Sequence, residues 1–463
     1  MAFKERTNNV KPLVNYRTIW RWHFYAGLFS IPFIIWLSIT GSIYLFKPQI
    51  DAWEDRPYDH LVMSGARASP EQQACAALAA VPRSTLHHFE IPKSPDAATR
   101  VLVGKGTQEF RVYVNPQTLS ILRVFNEDHR FTQRIFHLHG ELLMSTAGSV
   151  IVETASSWAI VLIATGLFLW WPRQTQNLAG VLYIRVRKGR RLFFRDLHAV
   201  TGIWISTYAL FLLFTGLQWA TVWGAMFHET RTVLSRHLVH EDWPTGPSSE
   251  LRNRVAINKN SMPGMDMGPA TADTTSAGGT VQHELEPLNR VVPAAASLHL
   301  AYPALVSPPA APGEAWTAKS DNQNRLLRTH ATIDGATGAI LSTTTFYQQS
   351  WLDRVLALSV SMHEGQLFGI ANQVVGALTC LGLVTLSLSA IALWWQRRED
   401  GVLGAPVRRH ERSIDWKFLP IIAAFALYLP MLAVTILLVL MAEKWVLPQF
   451  PRAYRWLGLE VAS

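Results

Sequence analysis

The residues that could do chemistry in this 463-residue chain are four histidines set in two matched pairs. His23 is followed by Gly27 and then Thr40-Gly41; at the same offsets His198 is followed by Gly202 and Thr215-Gly216. His139 lies 32 residues before Trp171, and His363 lies 32 before Trp395. Just ahead of those tryptophans, Thr165-Gly166 corresponds to Ser389-Ala390. Two imidazoles meeting at one depth across a pseudo-two-fold axis suit the two axial positions of a haem iron. The spacing therefore predicts an inner haem-iron site from His23 with His198 and an outer one from His139 with His363. Gly27 and Gly202, one helical turn after their histidines, would let a flat macrocycle lie close to the backbone. Arg21 and Arg195, with Arg17, are placed to pair with the propionates of the inner group.

Other readings stay open at this point. A lone histidine in an apolar helix is commonly packed or hydrogen-bonded between helices, and proton relays also use histidine. A zinc site needs further ligands at one depth, and only Glu141, Glu153 and Glu364 offer them, all on the outer side. His137 competes with His139 but aligns with Ser361, so His139 is favoured. His87, His88, His228, His237, His240, His299 and His330 read as surface residues.

The elements that must hold these histidines are membrane spans. The chain is 49% hydrophobic and 16% charged, too apolar for an ordinary soluble protein. Five stretches, 18–46, 142–171, 196–223, 366–395 and 417–442, exceed or match the ~20 apolar residues that cross a bilayer. The first is too long for a secretory leader and lacks a small-residue cleavage site. Cys75 and Cys380 are the only cysteines, which excludes a disulfide scaffold. Basic residues set the orientation. The first 21 residues carry five Lys or Arg against Glu5, and 172–195 carries seven with no acid. The net charge of +9 thus reports topology and gives no ground for nucleic-acid binding.

The expected order is a cytoplasmic N-terminus (1–17), span 1 (18–46), an outer module (47–141) and span 2 (142–171). A cytoplasmic loop (172–195), span 3 (196–223), a second outer segment (224–365) and span 4 (366–395) follow. A cytoplasmic loop (396–416), span 5 (417–442) and an outer tail (443–463) close the chain. The histidine offsets make this two copies of one unit running in the same sense, a four-helix core with a fifth span appended. If helical throughout, the 32 residues from His139 to Trp171 span about 48 Å, so spans 2 and 4 must tilt, extend outside or break.

The first outer module predicts a helix over PEQQACAALAAV, strands near 85–91, 99–104 and 109–115, and a turn at Asn115-Pro116. The second predicts a helix near 289–298, a strand near 315–320 and a hairpin over 328–346 turning at Asp334-Gly335. Between span 3 and this module lies a Pro, Gly, Ser, Thr and Met-rich linker, 244–282. Its Met262, Met265 and Met267 are clustered thioethers of the kind that favour Cu(I), with His283 nearby; an incidental linker is the plainer reading.

At WRWHFYAG (20–27), HLHGELL (137–143), TGLFLWWPR (165–173), DLHAVTG (196–202) and MHEGQLFG (362–369) the sequence resembles the PepSY-associated transmembrane proteins. That family includes ferric-siderophore reductases of the bacterial inner membrane. VYVNPQTLSIL (112–122) looks like part of a PepSY domain, and 287–346 like a more divergent second one. The resemblance implies two b-type haems, inner and outer, carried by His23, His139, His198 and His363, and reduction of an iron chelate on the periplasmic side. The linker at 244–282 and the fifth span depart from the pattern.

The cytoplasmic loops are too short for a nucleotide or flavin domain and hold no Gly-rich phosphate cradle. Electrons are therefore expected from a membrane quinol or a separate reductase, with a ferric siderophore as acceptor. The competing classes are a copper-linked metal reductase, a non-redox sensor or peptidase-regulating protein, and a transporter. The last is disfavoured because Pro32, Pro420 and Pro430 are not repeat-related and mid-depth charges are missing.

Overall fold

A computed structural model describes residues 16–172, 178–235, 285–310, 313–406 and 419–459. Met262, Met265, Met267, His237, His240, His283 and the 244–282 linker lie outside the described residues. Among the described residues, five helices are long and apolar enough to cross a membrane. They are span 1 (Tyr16–Tyr44), span 2 (Ser145–Trp170), span 3 (Arg190–Trp219), span 4 (Ile370–Arg397) and span 5 (Pro430–Gln449). The chain is a polytopic helical membrane protein that also carries a β-sheet. It divides into two compact units: a helical unit (Met1–Gly41, Gly140–Trp243, Leu378–Ser463) and a sheet unit (Ser42–His139, Pro244–Ala377).

In the helical unit, Glu153 of span 2 is buried. Its carboxylate accepts the amides of Val222 and Trp223 at 3.0 and 3.1 Å, the exposed donors at the start of the helix Thr221–Ser235. Span 5 packs on span 2, where the indole of Trp158 donates to the Thr435 hydroxyl at 3.0 Å.

The fifth apolar stretch departs from its expected course. A helix over Leu419–Tyr428 stops at Leu429, whose φ of −117° and ψ of 83° are the extended geometry that a following proline imposes. Leu429 and Leu432 are buried in one cluster with Leu217 and Trp223, beyond the last α-helical residues of span 3. From that corner span 5 runs back along span 2. The tail finishes where span 1 begins: Arg21 donates to the carbonyls of Pro406 and, at 3.0 Å, of Gly458, and Tyr25 donates to that of Leu457. The expected single crossing at 417–442 with a tail on the opposite side is thus replaced by a turn at Leu429-Pro430 and a return.

The sheet unit holds eight antiparallel strands. They are β1 (Thr85–Glu90), β2 (Thr99–Lys105), β3 (Gln108–Val114), β4 (Ile121–Asn126), β5 (Ala304–Ser307), β6 (Trp316–Ser320), β7 (Thr329–Ile333) and β8 (Ile340–Thr345). Their order, β4-β3-β2-β1-β5-β6-β7-β8, is two four-strand meanders joined edge to edge. The join pairs Phe89 with Val306 and Glu90 with Leu305. The predicted strands are present; β4, β5 and the fusion into one sheet were not foreseen. Helices Pro70–Ala80 and Leu288–Ser297 bury Ala74, Ala77, Leu288 and Val291 against Phe89, Val101, Val112, Val306 and Ile333.

The other face of the first meander buries charge instead. Arg111 bridges Glu90 at 2.7 Å and Glu127 at 2.8 Å. Asp55, at the end of the helix Lys47–Asp55, takes Arg130 at 3.0 Å and the Tyr113 hydroxyl at 2.7 Å. Buried ions are costly unless paired this fully, so the network fixes the segment leaving span 1 to the sheet.

His87 is buried and His88 half-buried, contrary to expectation. A bulge in β1 between Leu86 and His88 interrupts the alternation that would send one of them to solvent. His87 pairs with Glu109 at 2.7 Å, and His88 Nδ1 lies 2.7 Å from the Ser307 hydroxyl across the join. Burial, with Lys319 adding to it, pushes the His88 imidazole down to about 4.

Both approaches to the descending spans break. The helix Phe131–Glu141 ends before Leu142, Leu143 and Ser145, all with φ between 53° and 56°. The helix Trp351–His363 ends before Gly365 and Gly369, with φ of 76° and 57°. A break is therefore what resolves the excess length.

Candidate cofactor sites

His23 on span 1 and His198 on span 3 meet edge to face, with ring centroids 6.2 Å apart and planes at 85°. Each is held by the descending span that follows it in sequence. His23 Nδ1 lies 3.1 Å from both the Leu162 carbonyl and the Thr165 hydroxyl. His198 Nδ1 lies 3.1 Å from the Leu386 carbonyl and 3.3 Å from the Ser389 hydroxyl. A carbonyl can only accept, so each Nδ1 carries the proton and each Nε2 keeps its lone pair. That is the tautomer of a metal ligand with its outer partner already in place.

The separation suits a shared metal. Two metal–nitrogen bonds of about 2 Å, with the inner part of each ring, add up to about 6 Å between centroids. Among the described residues no group of three or more His, Cys, Asp or Glu could hold a bare ion. A two-nitrogen donor set fits an ion whose remaining positions are filled by a macrocycle.

The glycines tighten this arrangement from the side. A Cβ at Gly27 would meet Leu162 Cδ1 at 3.5 Å, and one at Gly202 would meet Leu386 Cδ1 at 3.1 Å. Both therefore face the leucines whose carbonyls hold the histidines. Gly166, which the sequence offered only as a repeat marker, is closer to the site: a Cβ there would stand 3.1 Å from His23 Cε1. Arg21 spends its guanidinium on Pro406, Gly458 and Tyr25. The Arg195 side chain is 58% exposed and 3.9 Å from Asp196.

In the sheet unit, His139 stands in the last turn of its helix and His363 is the last residue of its own. The Tyr44 ring lies 5.8 Å from that of Phe136, three residues before His139. The aligned positions His137 and Ser361 differ in use. His137 Nε2 is 3.2 Å from the Gln133 amide, whereas the fully buried Ser361 hydroxyl accepts the Arg325 amide at 2.8 Å and donates to the Gln323 carbonyl at 3.2 Å.

A family model described as the PepSY-associated TM region matches residues 20–397. The chain belongs to that family. The match opens three residues before His23 and closes at the end of span 4, so this PepSY-associated protein adds span 5 and its returning tail to the shared part. No curated protein matches the chain.

Proposed function

We propose that this PepSY-associated protein is a di-haem b electron-transfer protein of the bacterial inner membrane that reduces a ferric siderophore in the periplasm. The observation that carries the reading is the inner histidine pair, with ring centroids 6.2 Å apart, both Nδ1 atoms engaged and both Nε2 atoms left as bases. Haem iron bound there supplies one-electron chemistry. The chain's own part is positional. Leu162 and Leu386 fix the tautomers, Thr165 and Ser389 share the load, and Gly166 admits the His23 ring. His139 and His363 are assigned to the outer group.

Matched histidine offsets and matched carbonyl partners support two parallel copies of one unit. The basic segments support a cytoplasmic N-terminus. The sheet unit then belongs to the periplasm, and the returning tail to the cytoplasmic side. The donor is a quinol or a separate reductase, because neither described cytoplasmic loop offers a nucleotide cradle. The acceptor is ferric iron in an oxygen-rich chelate, which holds Fe²⁺ less tightly than Fe³⁺ and so releases it on reduction.

The test is an absorption spectrum of the detergent-purified protein, oxidised and dithionite-reduced, beside that of His198→Ala. Two haems per chain falling to one is the expected result. A colourless protein from haem-replete cells would overturn the reading and leave the sensor class, in which the spans only anchor the sheet unit.

A further inference from the structure

One buried cation in the sheet unit lies on the connection between β6 and β7. β2 and β3 are joined by two residues, Gly106 and Thr107, but β6 and β7 are joined by eight, Asp321 to Arg328. This longer connection is pinned from within: the Asn322 side chain accepts the Asn324 amide at 2.9 Å, and Arg328 Nε donates to the Asn322 carbonyl at 2.7 Å. It reaches the end of the helix that carries His363. The Arg325 amide donates to Ser361 at 2.8 Å, and its Nη1 donates to Glu364 at 3.0 Å. The Arg325 side chain is only 5% exposed, and its Nε has no hydrogen-bond partner.

Arg325 Nη1 also reaches the Gln323 carbonyl at 3.5 Å. A guanidinium carries five donors in a planar fork, and one carboxylate with one long carbonyl contact does not satisfy them. Leaving a charged donor buried and unmet is expensive. The ligand chemistry that completes such a fork is a second carboxylate. We infer that Arg325 is a carboxylate-binding residue beside His363, reaching either a propionate of the outer haem or a carboxylate of the incoming ferric chelate. The inference rests on the proposed function above.

The experiment compares wild type, Arg325→Gln, Arg325→Lys and Glu364→Gln, using His363→Ala to mark which haem is the outer one. Reduction adds an electron, which a nearby positive charge favours. If the carboxylate is a propionate, Arg325→Gln lowers the outer haem's reduction equilibrium severalfold without any chelate present; tenfold reads as about 59 mV. Its midpoint also becomes pH-dependent as the released propionate titrates, and Arg325→Lys restores part of both. If the carboxylate is the substrate's, the potential stays put while KM for ferric citrate rises severalfold. Glu364→Gln raises the outer potential, and it serves as the test if Arg325→Gln does not fold. An unchanged potential together with an unchanged KM for ferric citrate, in protein that retains both haems, overturns the inference alone. A colourless wild type removes the proposed function and this inference with it.

Discussion

The two halves of the helical unit hold their histidines by the same bonds with different side chains. His23 has Leu162, Thr165 and Gly166; His198 has Leu386, Ser389 and Ala390. Two residues before each histidine the halves part company. Arg21 fastens the tail and the Pro406 carbonyl, whereas the buried Asp196 accepts the Arg185 guanidinium at 2.7 Å. Even the clamps follow one plan: Trp170 donates its indole to the Val181 carbonyl at 3.1 Å, and Trp394 to that of Leu403 at 2.8 Å. What is kept is the carbonyl that fixes the imidazole and the indole that clamps the following loop; what varies is the charged residue two positions before the ring. That pattern is expected where chemistry constrains the ring and only packing constrains its surroundings.

The hardest way to break the comparison is to remove a ring. His23→Ala and His198→Ala should each abolish the inner haem completely, since one axial ligand leaves the site half built. Haem-to-protein ratios measure it, and the two variants should lose the same haem. If one kept its full complement, the pair would not be a shared site.

Next in size is Gly166, whose counterpart in the other half is Ala390. Gly166→Ala places a methyl 3.1 Å from His23 Cε1, and span 2 or the imidazole must shift. Overpacking of this kind costs about 1–3 kcal/mol, so a lowered inner-haem occupancy and a lower melting temperature are expected. Ala390→Gly removes a methyl that the other half does without, and it should leave haem content intact. Equal effects from the two would mean the halves are more alike than the backbone suggests.

How much of this was legible follows from the range of the interactions. The histidine register was readable because a repeat preserves offsets along one chain, and the spans because apolar length is a local property. The carbonyl partners were not, since nothing in the residue types of Leu162 or Leu386 marks their backbone. Thr165 and Gly166 surfaced as repeat markers without a stated task. The turn at Leu429-Pro430 was hidden because a proline in an apolar run reads as a kink as readily as a corner. Joining β1 to β5 brings together strands more than 200 residues apart, which no local pattern encodes. Arg325 sits in a connection with only a two-residue counterpart in the first half, so the repeat could not point to it.

A third comparison sharpens the difference between the two arms in the sheet unit. Ser361→Ala leaves the Arg325 amide and the Gln323 carbonyl without their partner inside a buried corner. About 1–3 kcal/mol of stability should be lost, read as a lower melting temperature of the detergent-solubilised protein. His137→Ser, at the aligned position, should change it less, because the bond it removes runs to the Gln133 side chain on its own helix. A loss as large for His137→Ser would assign that histidine a structural or ligand role that its counterpart lacks.

The smallest effect belongs to the hydroxyls that share each Nδ1–H. Thr165→Val and Ser389→Ala remove the second acceptor but leave the carbonyls of Leu162 and Leu386 at 3.1 Å, so the tautomer survives and both haems should stay bound. Thr165 also donates to the carbonyls of Val161 and Leu162 at 2.8 and 3.0 Å, as Ser389 does to Leu386 at 2.8 Å. Losing that donation makes the leucine carbonyl a stronger acceptor for the imidazole, which pushes electron density toward Nε2 and stabilises the oxidised metal. The inner midpoint potential should therefore fall slightly in each variant, and by more in Ser389→Ala, whose hydroxyl donates to its leucine carbonyl at 2.8 Å against 3.0 Å for Thr165. A spectroelectrochemical titration reads the two shifts side by side. A rise in either would show that the hydroxyl, not the carbonyl, is the acceptor that matters.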